Sequence, residues 1–200
     1  MKKDNILSDL VLKNYQVVID HQAADYTVYY KVGLELVSLK KYKESIPCFL
    51  ESIKLKNDTD AIKYYEIANV METDNYYNLH PLLGLYVKTS NPKAKETLNT
   101  FYNLAPGKPT IYNDLGNIYF ENSKTSELID FYLTKLPDYA ADKKISGNLH
   151  FYLAQLYLDS DKKAAKDYFL KAKEIFSTVF DKNNGVFNAI NEGIKEADKK

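Results

Sequence analysis

The clearest structural signal in the sequence is the stretch Pro109-Thr110-Ile111-Tyr112-Asn113-Asp114-Leu115-Gly116-Asn117-Ile118-Tyr119. At about 100° per residue, Tyr112, Leu115 and Tyr119 fall on one side of a helix and form a stripe that can pack against neighbouring helices. Gly116 lies beside this stripe and, having no side chain, would let a partner helix approach closely. A break at residues 121–123 precedes a second helical pattern. The stretch therefore predicts the first helix of an antiparallel helical hairpin.

The same skeleton recurs along the chain, each time around one small residue. These small markers are Gly33, Ala68, Gly116 and Ala154. Their intervals are close to a repeat period of roughly 34 residues, with one longer interval after Ala68. The second helices share a pattern of small, aromatic and small residues, present at Ser45, Phe49 and Ser52 and again at Ala165, Phe169 and Ala172. We predict an all-α chain built from repeated helix hairpins.

These residues resemble the signature of the tetratricopeptide repeat family, although the tryptophan of that signature is absent from the chain. The resemblance covers roughly residues 23–180. It implies an α-α superhelix, a right-handed solenoid of about ten or eleven helices whose first helices line a concave groove that binds a protein or peptide. We expect one domain, residues 1–200, with a capping helix at 1–20, repeats at 23–180 and a closing helix at 184–199.

Apolar periodicity and turn residues predict the individual helices. We place them at residues 4–20, 23–39, 42–56, 60–71, 76–88, 93–104, 111–121, 124–136, 144–158, 161–180 and 186–199. The pairing is ambiguous between 60 and 105, because 76–88 fits either a second helix or a first helix paired with 93–104. Pro81 predicts a kink or a new helix start. One helix of this region is therefore expected to be unpaired or irregular.

A second face of the first helices is predicted to line the groove. Residues three before and one after each marker are four apart, so they share a face beside the packing stripe. In the family that the chain resembles, this face looks into the groove. Carboxamides on it can pair with a peptide backbone, because each amide both donates and accepts hydrogen bonds. The predicted groove residues are Tyr30, Tyr65, Asn69, Asn113, Asn117, Phe120, Phe151 and Gln155.

Charge and composition exclude several partners. The 27 basic and 27 acidic residues give a formal net charge of zero, which favours neither nucleic acid nor an anionic membrane. Every basic residue is lysine, so the planar fork that arginine offers to phosphates and bases is missing. No run approaches the roughly 20 apolar residues of a membrane span. We expect no nucleic-acid partner and no membrane span; the oligomeric state stays open.

The sequence contains no motif of a catalytic, cofactor or metal site. Cys48 is the only cysteine, which excludes an internal disulfide. His21, His80 and His150 lack the spacing of metal ligands. We therefore predict a protein that is not an enzyme, has no cofactor and is located in the cytoplasm; a signal peptide already removed from its start is an open alternative.

Two other functions remain open. A carbohydrate-contacting accessory protein would use groove aromatics such as Tyr30 and Tyr65, and the chain contains 18 tyrosines. An enzyme would require a deep pocket that holds His80 or His150 beside a carboxylate.

Overall fold

The computed structural model describes residues 13, 17, 26–54 and 58–199 of the chain. The predicted capping helix at 1–20 lies outside these residues, except for Lys13 and Val17, which are helical. The described part is helical without strands, which confirms the all-α prediction. Its ten helices are α1 (Tyr26–Ser38), α2 (Tyr42–Lys54), α3 (Asp58–Met71), α4 (Tyr76–Lys88), α5 (Ala94–Asn103), α6 (Pro109–Glu121), α7 (Thr125–Lys135), α8 (Lys143–Tyr157), α9 (Lys162–Phe176) and α10 (Val186–Ala197).

Most helix ends lie close to their predicted positions, and two differences are informative. Helix α9 ends at Phe176 and not at residue 180, because the backbone continues in turns in which Thr178 N–H donates to Ile175 O at 3.0 Å. Of the kink or new helix start predicted at Pro81, the new start is wrong, since α4 runs through this proline without interruption. Pro109 occupies the start of α6, where the missing N–H removes no helical hydrogen bond.

The chain divides into two compact units, Met1–Phe101 and Tyr102–Lys200. In the first unit, α1 and α2 form a closely packed hairpin. Gly33 makes this possible, because a Cβ atom at this position would lie 2.5 Å from the Phe49 ring. Ser52 is fully buried and its hydroxyl donates to the Tyr26 carbonyl at 2.9 Å. The close helix approach predicted from a glycine marker is therefore present at Gly33.

Helix α3 pairs with α4 in the first unit. Tyr65, Leu82 and Tyr86 form the buried cluster between the two helices. Beside it, the Glu66 carboxylate accepts hydrogen bonds from the Tyr86 hydroxyl at 2.5 Å and from Lys93 Nζ at 2.7 Å. The hydrogen bond from Lys93 is the largest cause of the lowered pKa of Glu66, and the hydrogen bond from Tyr86 lowers it further. Among the described helices, α5 has no comparable hairpin partner, in agreement with the predicted irregularity.

The same turn ends α1, α4 and α6. In each, a non-glycine residue adopts a left-handed backbone conformation, and the next N–H donates to a carbonyl five residues earlier at 2.8 Å, as in a Schellman motif. The left-handed residues are Lys40 (φ 59°), Ser90 (φ 53°) and Ser123 (φ 56°). The sequence gives no sign of this shared turn, because no glycine marks it.

In the second unit, α6–α10 pack in chain order, with additional contacts from α8 to α6 and to α10. Tyr112, Leu115 and Tyr119 are buried, which confirms the packing stripe predicted for α6. Between α6 and α8, the rings of Tyr112 and Tyr152 stack at 4.6 Å between centroids. The α8–α9 hairpin is closely packed, with the Phe176 ring against Gly147, whereas α6 and α7 touch far less.

Candidate ligand-binding cleft

The loose contact between α6 and α7 leaves an open cleft of about 400 Å³ in the second unit. Helix α8 contributes part of its lining. The cleft is lined by Tyr112, Asn113, Gly116 and Asn117 from α6, Leu128 and Tyr132 from α7, and Tyr152, Gln155 and Leu156 from α8. We call it the amide cleft. Its volume is within the range of small-ligand pockets, and none of its lining side chains carries a charge at neutral pH.

The cleft exists because Gly116 is not covered by the next helix. A Cβ atom at Gly116 would have no neighbour within 4 Å, so the close helix approach predicted for this glycine is wrong. Tyr132 follows Gly116 at the same interval at which Phe49 follows Gly33. Unlike Phe49, the Tyr132 ring packs against the Tyr112 ring, at 5.4 Å between centroids. The Phe49 ring fills the space beside Gly33 in the α1–α2 hairpin, whereas the corresponding space beside Gly116 is open.

One tyrosine that lines the cleft has a hydroxyl without a partner among the described residues. Tyr112 donates to the Pro106 carbonyl at 2.8 Å and so accepts from Tyr102 at 3.0 Å. Tyr152 donates to the Pro109 carbonyl at 3.2 Å. Tyr132 is 1% exposed, and its hydroxyl makes no hydrogen bond to any described residue.

The same burial determines the ionisation of Tyr132. Removal of the hydroxyl from water raises its pKa well above the usual 10.0, and the neighbouring tyrosines add to the effect. At neutral pH, the Tyr132 hydroxyl is therefore protonated, and the described residues offer it no acceptor.

Three predicted groove amides meet at this cleft. Asn113, Asn117 and Gln155 are exposed and line it from α6 and α8. None of the three side chains is hydrogen-bonded to another residue of the described chain. The sequence prediction that these amides share a face is consistent with this arrangement, whereas their binding of a peptide stays a prediction.

Phe120 lies in an adjoining pocket of about 370 Å³. Its ring is 70% exposed. Gln155 and Leu156 line both this pocket and the amide cleft. The remaining lining residues are Thr125, Ser126, Ile129, Asp159 and Ser160. We call this space the Phe120 pocket.

The other predicted groove residues are buried or half-buried. Tyr65 is 1% exposed and lies in the α3–α4 core, and Phe151 packs against Phe169 at 5.8 Å between ring centroids. The prediction that these two rings contact a ligand is therefore wrong. Tyr30 is half-buried against Phe49, at 6.3 Å between centroids. Asn69 is also half-buried, and its Oδ1 is enclosed without a hydrogen bond.

The histidines with described side chains are packed among aromatic rings. His80 lies 5.8 Å from the rings of Tyr76 and Phe101. His150 Nδ1 donates a 2.7 Å hydrogen bond to the Ser146 carbonyl, and burial lowers the pKa of His150. Within the described part of the chain, no three potential ligands are grouped as a metal site requires, and no helix is long and apolar enough to cross a membrane.

Tyr132 is not among the groove residues predicted from the sequence. The structure adds it to the candidate site together with Leu128, Tyr152 and Leu156. Comparison of the two hairpins in the sequence could have identified Tyr132, because it occupies the position that Phe49 has in the first hairpin. Whether the added hydroxyl would be satisfied depends on packing, which a sequence pattern does not contain.

Consecutive helices that pack as hairpins around small residues define the class of helical repeat proteins. Within this class, residues 26–59 match the profile of the family described as Tetratricopeptide repeat. The match covers α1, α2 and the start of α3, so the predicted resemblance is confirmed there. Repeats of this family typically form scaffolds for protein interactions.

Two further comparisons add little. The crystal structure of a tetratricopeptide repeat protein from Parabacteroides merdae ATCC 43184 aligns over 96% of this chain and 99% of its own, with 13% identity. Its TM-score is 0.31, which does not establish a shared fold. No curated protein shows significant sequence similarity to the chain.

Proposed function

We propose that the chain is a non-enzymatic scaffold whose second unit binds an extended peptide segment of a partner protein. The observation that carries this proposal is the grouping of three exposed amides, Asn113, Asn117 and Gln155, beside the exposed ring of Phe120. The repeat matched at residues 26–59 supports the same class of function.

The two spaces have complementary roles in this proposal. Amide side chains donate to and accept from the peptide backbone, so they hold an extended segment without selecting its sequence. Phe120 provides an aromatic anchor, the kind of residue that contributes most to binding when a partner covers it. Because Gln155 lines both spaces, one peptide can contact them together.

A displayed library of random linear peptides tests the proposal. We expect the full chain to enrich a set of peptides, and the variant Asn113→Ala/Asn117→Ala/Gln155→Ala to lose most of their binding. Asn188→Ala is the matched control, because Asn188 is exposed on α10, outside both spaces. Absence of enrichment, or peptides that the triple variant retains at full affinity, would contradict the proposal.

A carbohydrate-contacting function is the second candidate, and only the Phe120 pocket now favours it. There, an exposed ring stands near Ser126, Asp159 and Ser160, whose oxygens could bond sugar hydroxyls. Tyr65 no longer supports this function because it is buried. Binding on a glycan array that Phe120→Ala abolishes would favour this candidate, and an array without signal would remove it.

A further inference from the structure

We infer that the Phe120 pocket is a specificity pocket for a basic side chain, lysine or arginine, of the bound peptide. This inference rests on the proposed function, because it assumes that a peptide crosses the second unit. It narrows the role of Phe120 from a general aromatic anchor to a contact for one chemical class of side chain. It also assigns Asp159 as the group that pairs with the charge of the ligand.

The two groups that would contact the ligand are both accessible. The Phe120 ring is 70% exposed, and Asp159 is exposed in the turn that follows α8. Both line the same open pocket of about 370 Å³. A side chain in this pocket can therefore contact both groups without a rearrangement of the protein.

The charge of the pocket favours a cation. Among the described residues that line it, Asp159 alone carries a charge, and no lysine belongs to the lining. The Asp159 carboxylate forms no hydrogen bond or ion pair with another residue of the described chain. A cation that enters the pocket gains an opposite charge, whereas a second carboxylate would be repelled.

The helix ends at the pocket add to its negative potential. Helix α6 ends one residue after Phe120, and α8 ends two residues before Asp159. The C-terminal end of a helix carries a partial negative charge, and neither helix has a basic residue in its last turn. Helix α7 begins at the pocket with Thr125, but its positive N-terminal end has an acidic residue, Glu127, in the first turn. Two negative helix ends therefore face one positive end that Glu127 already compensates.

The apolar part of the pocket suits the stem of a basic side chain. Phe120, Ile129 and Leu156 supply apolar surface to the lining. Lysine and arginine pack their alkyl stems on such surface while the charged end stays in contact with water. An aromatic ring also attracts a cation placed over its face. Leucine or norleucine would use the apolar surface alone, so the basic side chain gains the additional contacts.

The test begins with the displayed random peptide library and the full-length wild-type protein. We expect the enriched peptides to share a lysine or arginine at one position. One enriched peptide is then synthesised with blocked termini, together with an analogue in which norleucine replaces the lysine or citrulline replaces the arginine. At low ionic strength, the neutral analogue should bind wild type about three- to tenfold more weakly, because an exposed ion pair and a cation–π contact each contribute modestly.

Two substitutions of Asp159 assign this difference to the pocket. In Asp159→Asn, the difference between the two peptides should fall to about twofold or less, because only the contact with the ring remains. In Asp159→Lys, the library should yield aspartate or glutamate at the same position. Asp167→Asn is the matched control, because Asp167 is an exposed acid on α9 outside both spaces, and it should retain the wild-type difference.

Two further measurements do not depend on the Asp159 variants. Phe120→Leu keeps an apolar side chain and removes the ring, so it should weaken the basic peptide more than the neutral analogue. On wild type, the difference between the two peptides should shrink between about 0.05 and 1 M sodium chloride, because salt screens exposed charges. Thermal unfolding of each variant identifies a loss of fold.

Each outcome has one meaning. If wild type enriches no peptide, the proposed function and this inference both fail. If peptides are enriched without a basic position, or with an acidic residue at the shared position, only this inference fails. It fails as well if folded Asp159→Asn keeps the full difference between the two peptides, or if that difference on wild type is the same at both salt concentrations.

Discussion

Gly33 and Gly116 stand at the same place in two helical hairpins and have opposite surroundings. The Phe49 ring fills the space beside Gly33, whereas the space beside Gly116 is open. Sequence alone predicts the same role for both, because the marker and its flanking residues are alike. The difference arises from the orientation of the aromatic residue on the next helix, which packing determines.

Alanine substitutions should distinguish these two glycines. Gly116→Ala should raise the free energy of unfolding by about 0.5–1 kcal/mol, because glycine inside a helix is less favourable than alanine and the new methyl group meets nothing. Gly33→Ala should lower it by about 1–3 kcal/mol, because the methyl group overlaps the Phe49 ring. Urea unfolding followed by circular dichroism measures both; equal effects of the two substitutions would contradict the structure.

Tyrosine-to-phenylalanine substitutions should show which hydroxyls stabilise the second unit. Tyr132→Phe should leave the free energy of unfolding unchanged or raise it by up to about 1–3 kcal/mol, because it removes an unpaired buried donor. Tyr112→Phe should lower it by about 1 kcal/mol or more, because it removes the bonds to Tyr102 and to the Pro106 carbonyl. Chemical unfolding gives both values. A large loss of stability in Tyr132→Phe would show that its hydroxyl has a partner.

The sequence predicts the exposed residues of the candidate site correctly only where neighbouring helices leave a helix face uncovered. Asn113 and Phe151 stand at the same position relative to their markers, and the sequence predicts the same exposure for both. Helix α9 packs closely on α8 and its Phe169 ring covers Phe151, whereas α6 touches α7 only loosely and Asn113 stays exposed. Periodicity identifies a face but not how closely the next helix packs on it.

The helices themselves were largely predictable, and their terminal turns were not. Apolar periodicity located α1–α10 because burial of one face stabilises each of them. The shared turn after α1, α4 and α6 uses lysine and serine at a left-handed position where glycine is preferred. The sequence does not identify such a left-handed position, because tertiary packing of the helix on its neighbours outweighs the local backbone strain.

Ser123→Gly should therefore stabilise the turn that links α6 to α7. A non-glycine residue at φ 56° is strained, and glycine removes most of that strain at some entropic cost, for a net gain of about 0.5–1 kcal/mol. The hydrogen bond from Lys124 N–H to the Tyr119 carbonyl is backbone only and should persist. Asp130→Gly, at an exposed position in the middle of α7, is the opposing control and should destabilise. Thermal unfolding compares them, and a lower melting temperature for Ser123→Gly would contradict the assigned turn.

Helix pairing and the division into two units could not be obtained from the sequence. The helix pairing between residues 60 and 105 is ambiguous in the sequence. The contacts of Tyr65 with Leu82 and Tyr86 resolve it, because they join α3 to α4. The prediction of a single repeat domain stays a prediction. Both properties depend on contacts between segments, to which local periodicity is insensitive.

Buried tyrosines should make the stability of the chain depend on alkaline pH. Burial raises the pKa of Tyr152 to about 12 and raises those of Tyr102, Tyr112 and Tyr132 as well, above the unfolded value of 10.0. A group with a raised folded pKa contributes its full stability below the unfolded pKa and loses it as pH rises, because the unfolded chain releases its proton first. The free energy of unfolding measured in urea should therefore not depend on these groups up to about pH 9. It should fall steeply above about pH 10. Constant stability through this range would contradict the burial.

A neutral cleft also has a consequence for how ionic strength affects recognition. Counterions screen interactions between charges, and the lining of the amide cleft contains none. The affinity of a peptide bound in this cleft alone should therefore stay nearly constant between about 0.05 and 1 M sodium chloride, measured by calorimetry or fluorescence anisotropy. Peptides held by the surface lysines of this chain should dissociate over the same range. Concentrated salt thus separates ligands recognised by shape and hydrogen bonding from those attracted by charge.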